Sequence, residues 1–202
     1  MSSVKCRLLP FLLAVICCLA EPGYALVEYK KGYYFKGAEK VEGYVYFSFD
    51  NYESFFFKKE LNGKSQKMKL NDCDSFAFEN KKFVRIARLT LKVGLSNKTA
   101  DQAFAEHAIE GPVNLYRVYS STHAGYTRGG VTLNTGAGKV SSVFLEKNNS
   151  KSYILASKDP LKFQNELTDF FNDRIDIVQK ITSGYYNLSN IEEMVTDYNG
   201  HK

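Results

Sequence analysis

A change of hydrophobic period near Asp159 constrains this chain more than any other feature. Ahead of it, apolar residues alternate with a period of two; behind it, they recur every three to four positions. Asp159 can cap a helix with Pro160 in the first position. Phe163, Leu167, Phe170, Phe171, Ile175, Val178 and Ile181 then form one helical stripe, which Ser183-Gly184 ends. A second helix is expected from Ser189, with Ser189 and Glu192 as a capping box and Ile191, Met194, Val195 and Tyr198 as its apolar face. Asn199-Gly200 stops it. The implied fold class is α+β: a strand-rich antiparallel sheet or partly open barrel over residues 32–156, followed by two helices over 159–200 that pack on it.

The middle of that sheet is expected at Phe104 to Tyr119, two strand-like runs joined by the turn Glu110-Gly111-Pro112. Before it, Tyr33–Lys36, Val41–Phe49, Ser54–Lys59, Gln66–Leu70, Ser75–Phe78 and Lys82–Lys92 read as strands, with Asn62-Gly63 as a hairpin signal. Leu95 to Asp101 reads as a polar connector, and the Gly/Ser/Thr-rich stretch Ser120 to Lys139 as a long loop. Ser142–Lys147 and Lys151–Ala156 form a hairpin around Asn148-Asn149-Ser150. The 15 Phe and 14 Tyr among 202 residues favour strands. An outer-membrane barrel would need about ten-residue strands throughout and would not finish in amphipathic helices.

The first residues read as a signal peptide. Lys5 and Arg7 make a basic start and Leu8 to Ala20 an apolar run, with cleavage after Ala20 or, preferred here, after Ala25. The run is short for a membrane anchor. Neither Cys17 nor Cys18 is preceded by the small residue a lipidation site needs. The expected mature chain, residues 26–202, is then a single α+β domain with Cys73 as its one cysteine, hence no internal disulfide and no cysteine-based metal site. No second apolar run approaches spanning length, so the mature chain is expected to be soluble or peripherally attached to a membrane. The formal charge of +5 falls to +4 when the leader's two bases and one acid leave. Its lysines are scattered among acids, which speaks against nucleic-acid binding.

Catalytic patterns are sparse. His107 lies between Glu106 and Glu110, but on a strand both acids point away from it, and a zinc site would need a further ligand. Gly136-Ala137-Gly138-Lys139 lacks the spacing of a phosphate loop, with Leu133 where glycine is required and Val140 in place of Ser or Thr. There is no Gly-x-Ser-x-Gly elbow. Cys73 sits between Asp72 and Asp74, whose charges oppose thiolate formation. No pattern calls for a cofactor.

Three places together carry a resemblance: Gly32-Tyr33-Tyr34 leading to EGYVYFSF, the section from FFFKKELNGK to AIEGPVNLY, and the tail GYYNLSNIEEMVTDYN. The chain resembles small exported proteins of unknown function found mainly in Bacteroidetes-type bacteria. In that comparison Asp74 and Phe76 match one short motif, Glu110, Gly111, Leu115 and Tyr116 a second, and Tyr198 and Asn199 the last. The chain departs from the pattern in its longer Thr122 to Lys139 stretch and in having Asn172-Asp173 where a cysteine is common. The resemblance implies an envelope-directed protein and brings no catalytic residues; the expected destination of the exported chain is the periplasm or the outer membrane in a bacterium, and otherwise secretion.

The expected function is therefore a non-enzymatic binding or interaction module whose partner is an envelope protein or a glycan. The expected contact surface is Tyr33, Tyr34, Tyr44 and Tyr46, with Tyr126 in the Gly-rich stretch. The alternatives are half-buried sheet tyrosines with no ligand, a hydrolase using carboxylates assembled by the fold, and a lipid carrier with an apolar cavity between sheet and helices.

Overall fold

A computed structural model of the chain describes residues 27–93, 96–128 and 131–200. The expected leader lies outside the described residues. Ten strands form one antiparallel sheet: β1 Lys30–Lys36, β2 Glu39–Tyr46, β3 Ser54–Lys58, β4 Gln66–Lys69, β5 Ser75–Phe78, β6 Lys81–Val93, β7 Ser96–Ile109, β8 Val113–Arg128, β9 Val131–Lys147 and β10 Tyr153–Leu155. Their spatial order is β10-β9-β8-β7-β6-β5-β1-β2-β3-β4, and the sheet curls into a half-barrel. Helices α1 (Pro160–Phe170), α2 (Ile175–Thr182) and α3 (Ile191–Gly200) follow, so the fold is α+β. No helix among the described residues is long and apolar enough to cross a membrane.

The curl lets different parts of the sheet bury opposite faces. One face of β1–β7 carries an aromatic core of Phe47, Phe55, Phe57, Phe76, Phe78, Phe83 and Phe104. Phe76 stacks between Phe55 at 4.0 Å and Phe83 at 4.6 Å. Offset ring pairs of this kind add about 0.5–1.5 kcal/mol each beyond burial. The other face of β6–β10 buries Ile86, Ala103, Ala105, Tyr116, Val118 and Phe144. The helices cover Val113, Leu115 and Leu145 with Phe163, Leu167, Phe171, Ile177, Ile181, Met194 and Val195. β7 thus has buried residues on both faces, from Ala103 to Glu106.

The two expected connectors around it are strands. Ser96 to Asp101 belongs to β7, and the stretch read as a long loop forms the distal halves of β8 and β9. Backbone pairing runs from Val113↔Lys147 out to Arg128↔Val131. A hairpin supplies its own ladder, so a Gly/Ser/Thr-rich run is held extended by its neighbour whatever its propensity. The β7–β8 ladder itself is short, covering Glu106↔Arg117 to Ile109↔Leu115. Beyond it the Phe104 amide donates to the Tyr52 carbonyl at 2.8 Å and the Ser121 amide to the Asp50 carbonyl at 3.2 Å. The β2–β3 connection therefore wedges between the two hairpins.

The helical tail also differs in detail. The single stripe expected over residues 159–183 is split by Phe171–Arg174. Asn172 and Asp173 are weak helix formers, and the Asp173 carboxylate is drawn off by Lys147 and by Tyr198 OH, each at 2.6 Å. Asp159 caps α1 as expected, accepting from Lys162 N–H at 3.0 Å. The second cap is Asn187 with Asn190, leading through a 3₁₀ turn, Leu188–Asn190, into α3; Ser189 and Glu192 do not form it.

Candidate binding face

Register decides which tyrosines share a surface. β1 and β2 pair as Lys31↔Tyr44, Gly32↔Gly43, Tyr33↔Glu42 and Tyr34↔Val41, and directly opposed residues lie on one face. Tyr33, Tyr44 and Tyr46 therefore lie on the outer face, turned away from the aromatic core. Tyr34, one residue on from Tyr33, lies on the opposite face, with its ring T-shaped against Phe57 at 4.9 Å. Tyr126 is in β8, in register with Leu133 and far along the chain from the other four.

Lysines accompany the outer rings. Tyr46 lies between Tyr29 and Phe56, at 5.9 and 6.2 Å. The Lys58 ammonium sits 4.4 Å over Tyr29, and that of Lys40 sits 4.4 Å over Tyr33. Such contacts are worth about 0.5–1 kcal/mol at exposed sites. Between Tyr33 and Tyr44 runs an open groove of about 660 Å³, lined also by Lys31, Glu42, Lys59, Ala77, Glu79 and Lys82. Ala77 is opposite both Tyr33 and Lys82, so a methyl group floors the groove where a larger side chain would fill it. The paired glycines have another purpose. A Cβ on Gly43 would come within 2.5 Å of the Phe57 ring, and one on Gly32 within 2.3 Å of the Ala77 carbonyl oxygen. They allow the core side to close tightly beneath the groove.

Charge on this face is ordered. Lys40 holds Glu42 at 2.7 Å, and its hydrogen bond and charge, with the field of Lys59, lower the Glu42 pKa. Lys30 pairs with Glu28 and reaches Glu79 at 3.5 Å.

The histidine and acids flagged in the sequence are dispersed. Glu106 and His107 lie on opposite faces, as alternation requires, and Glu110 is exposed at the following turn. Glu106 is 6% exposed and binds Lys81 and Tyr119 OH. Tyr119 is raised by burial and by that hydrogen bond. His107 stacks on Tyr116 at 4.7 Å and meets Asn114 Oδ1 at 3.0 Å. Because that oxygen only accepts, His107 Nε2 is the donor. Glu146, 3% exposed, completes this second network by accepting from Lys151 N–H (2.7 Å), Tyr116 OH (2.9 Å) and Asn114 Nδ2 (3.3 Å). Sequence reading missed Asn114 and Glu146, whose alternation on β8 and β9 puts them opposite each other on a buried face.

Among the described residues no group of three or more His, Cys, Asp or Glu is placed to hold a metal ion. Cys73 is buried, and burial with the charges of Asp74 and Asp72 pushes its thiol up to about 12. No family model, curated protein or solved structure matches the chain.

Proposed function

We propose that this is an exported cell-envelope protein that works by binding, with the outer face of β1, β2 and β5 as its contact surface. The groove between Tyr33 and Tyr44 is the observation that carries this reading. It joins two aromatic rings to exposed charged side chains over a floor whose backbone is fixed by the ladder of β2, β1 and β5. Rings displayed on a rigid sheet contribute contact area at low entropic cost. Export rests on the basic and apolar opening of the sequence and on the resemblance to small exported proteins.

The competing readings have less support. The two buried carboxylates, Glu106 and Glu146, lie on opposite faces of the sheet, each already engaged by neighbours, so they do not form an acid–base pair. The space between the sheet and the helices, where a lipid carrier would hold its cargo, contains Phe163, Leu167, Phe171, Ile177 and Ile181.

The test is affinity capture from solubilised envelope of the host, using residues 26–202 and the Tyr33→Ala/Tyr44→Ala variant in parallel. A stoichiometric protein or glycan retained by the former and lost by the latter supports the reading. Equal capture by both removes the groove from it.

A further inference from the structure

Building on that binding reading, we infer that the groove takes an anionic saccharide. The charge inventory gives the sign. Lys31, Lys59, Lys81 and Lys82 line the groove with only two acids, Glu42 and Glu79. Glu42 has a lysine partner from outside the lining, Lys40, and Glu79 shares Lys30 with Glu28. Lys81 is committed to Glu106 on the far face. That leaves Lys31, Lys59 and Lys82, all exposed and with no ion pair among the described residues. A concave surface with three lysines outside any ion pair and a net excess of positive charge concentrates anions, and carboxylates or phosphates there form charge-assisted hydrogen bonds.

The shape gives the rest. From Lys59, just past β3, to Lys82 on β6, the groove crosses β2, β1 and β5. Four strand spacings make about 19 Å, the reach of an extended oligosaccharide. Tyr33 and Tyr44 stand on adjacent strands along this path, and Ala77, across from Tyr33 on the side away from Tyr44, presents only a methyl group, which leaves room for a flat ring to lie on the sheet. The phenol rings offer apolar faces to sugar C–H groups and hydroxyls to sugar oxygens.

Isothermal titration of the purified protein with four probes tests this: an oligogalacturonate, a phosphorylated oligomannose, neutral maltoheptaose and polyglutamate. At least one acidic sugar is expected to bind, and which one separates a carboxylate from a phosphate source. Affinity should fall about tenfold or more in Lys31→Ala/Lys82→Ala and in Tyr33→Ala/Tyr44→Ala, and steeply with salt. The lysine positions are exposed, so Lys31→Ala/Lys82→Ala should keep the wild-type unfolding midpoint. Equal binding of maltoheptaose would overturn the requirement for charge while leaving the groove a binding site. Equal binding of polyglutamate, unchanged in the tyrosine variant, would overturn the saccharide. Silence from both acidic sugars would overturn the inference, whereas the binding reading itself is decided by the envelope capture.

Discussion

Asn199, in the last turn of α3, makes a two-bond pair with the backbone of Val113: its Oδ1 accepts the Val113 N–H at 2.9 Å and its Nδ2 donates to the Val113 carbonyl at 2.8 Å. The amide side chain acts as one more strand residue at the start of β8 and ties the C-terminal helix to the β7–β8 turn. Gly111 completes the fit, because a Cβ there would lie 2.5 Å from Asn199 Nδ2. The Glu110-Gly111 and Tyr198-Asn199 segments, singled out separately in the sequence, thus meet as one structural joint.

Asn199→Ala should cost about 2–3 kcal/mol in urea unfolding, since it orphans a buried N–H and C=O together. Gly111→Ala should cost about 1–3 kcal/mol in the native background through the clash. With Asn199 already truncated, most of that second cost should vanish, and the double-mutant cycle reads the coupling directly. Additive losses would mean that the joint is not a joint.

The wedge between the two long hairpins predicts a second weak point. Tyr52 is buried at the splay between β7 and β8, among Ile86, Leu89, Ala103 and Val118. Tyr52→Ala should destabilise by about 3–5 kcal/mol, as aromatic truncations in a core do. It should also speed hydrogen exchange at the Phe104 amide, which the Tyr52 carbonyl accepts. Tyr52→Phe keeps the ring and should keep Phe104 protected.

Asp173 should contribute to acid sensitivity. Burial alone would raise its pKa, but hydrogen bonds from Lys147 and Tyr198 outweigh that and hold it below the ordinary 3.8. A depressed carboxylate stabilises fully above its unfolded value, and the contribution is lost as pH falls through the lower folded one. Between pH 5 and the region below 3.8, the melting temperature of the wild type should therefore fall more steeply than that of Asp173→Asn. Parallel curves would show that the Lys147–Asp173–Tyr198 cluster adds no pH-linked stability.

Much of this architecture was legible because alternation and helical period are local signals. The strands from β1 to β6 and the Asp159 cap announce themselves within a few residues. The distal halves of β8 and β9 did not, because their glycines and threonines read as turns and only the partner strand holds them extended. The break at Phe171–Arg174 was hidden by an apolar stripe that runs through it in helical phase. At the candidate site, neighbours such as Tyr33 and Tyr34 must face opposite ways on a strand, so one of them could have been assigned inward from parity alone. The lysines were out of reach. Register gathers Lys31, Lys59 and Lys82 from three different strands or strand ends, and no spacing along the chain encodes that. The same holds for Asn199 and Val113, 86 residues apart.

Hydroxyl-radical footprinting of the tyrosines, with the purified protein alone and with solubilised envelope of its host, reads the binding face directly. Tyr185, 57% exposed on the helical side, is an internal reference. Envelope material should protect Tyr33 and Tyr44 while Tyr185 stays as reactive as before. Protection of Tyr185 with no change at Tyr33 and Tyr44 would contradict it and put the contact surface on the helices.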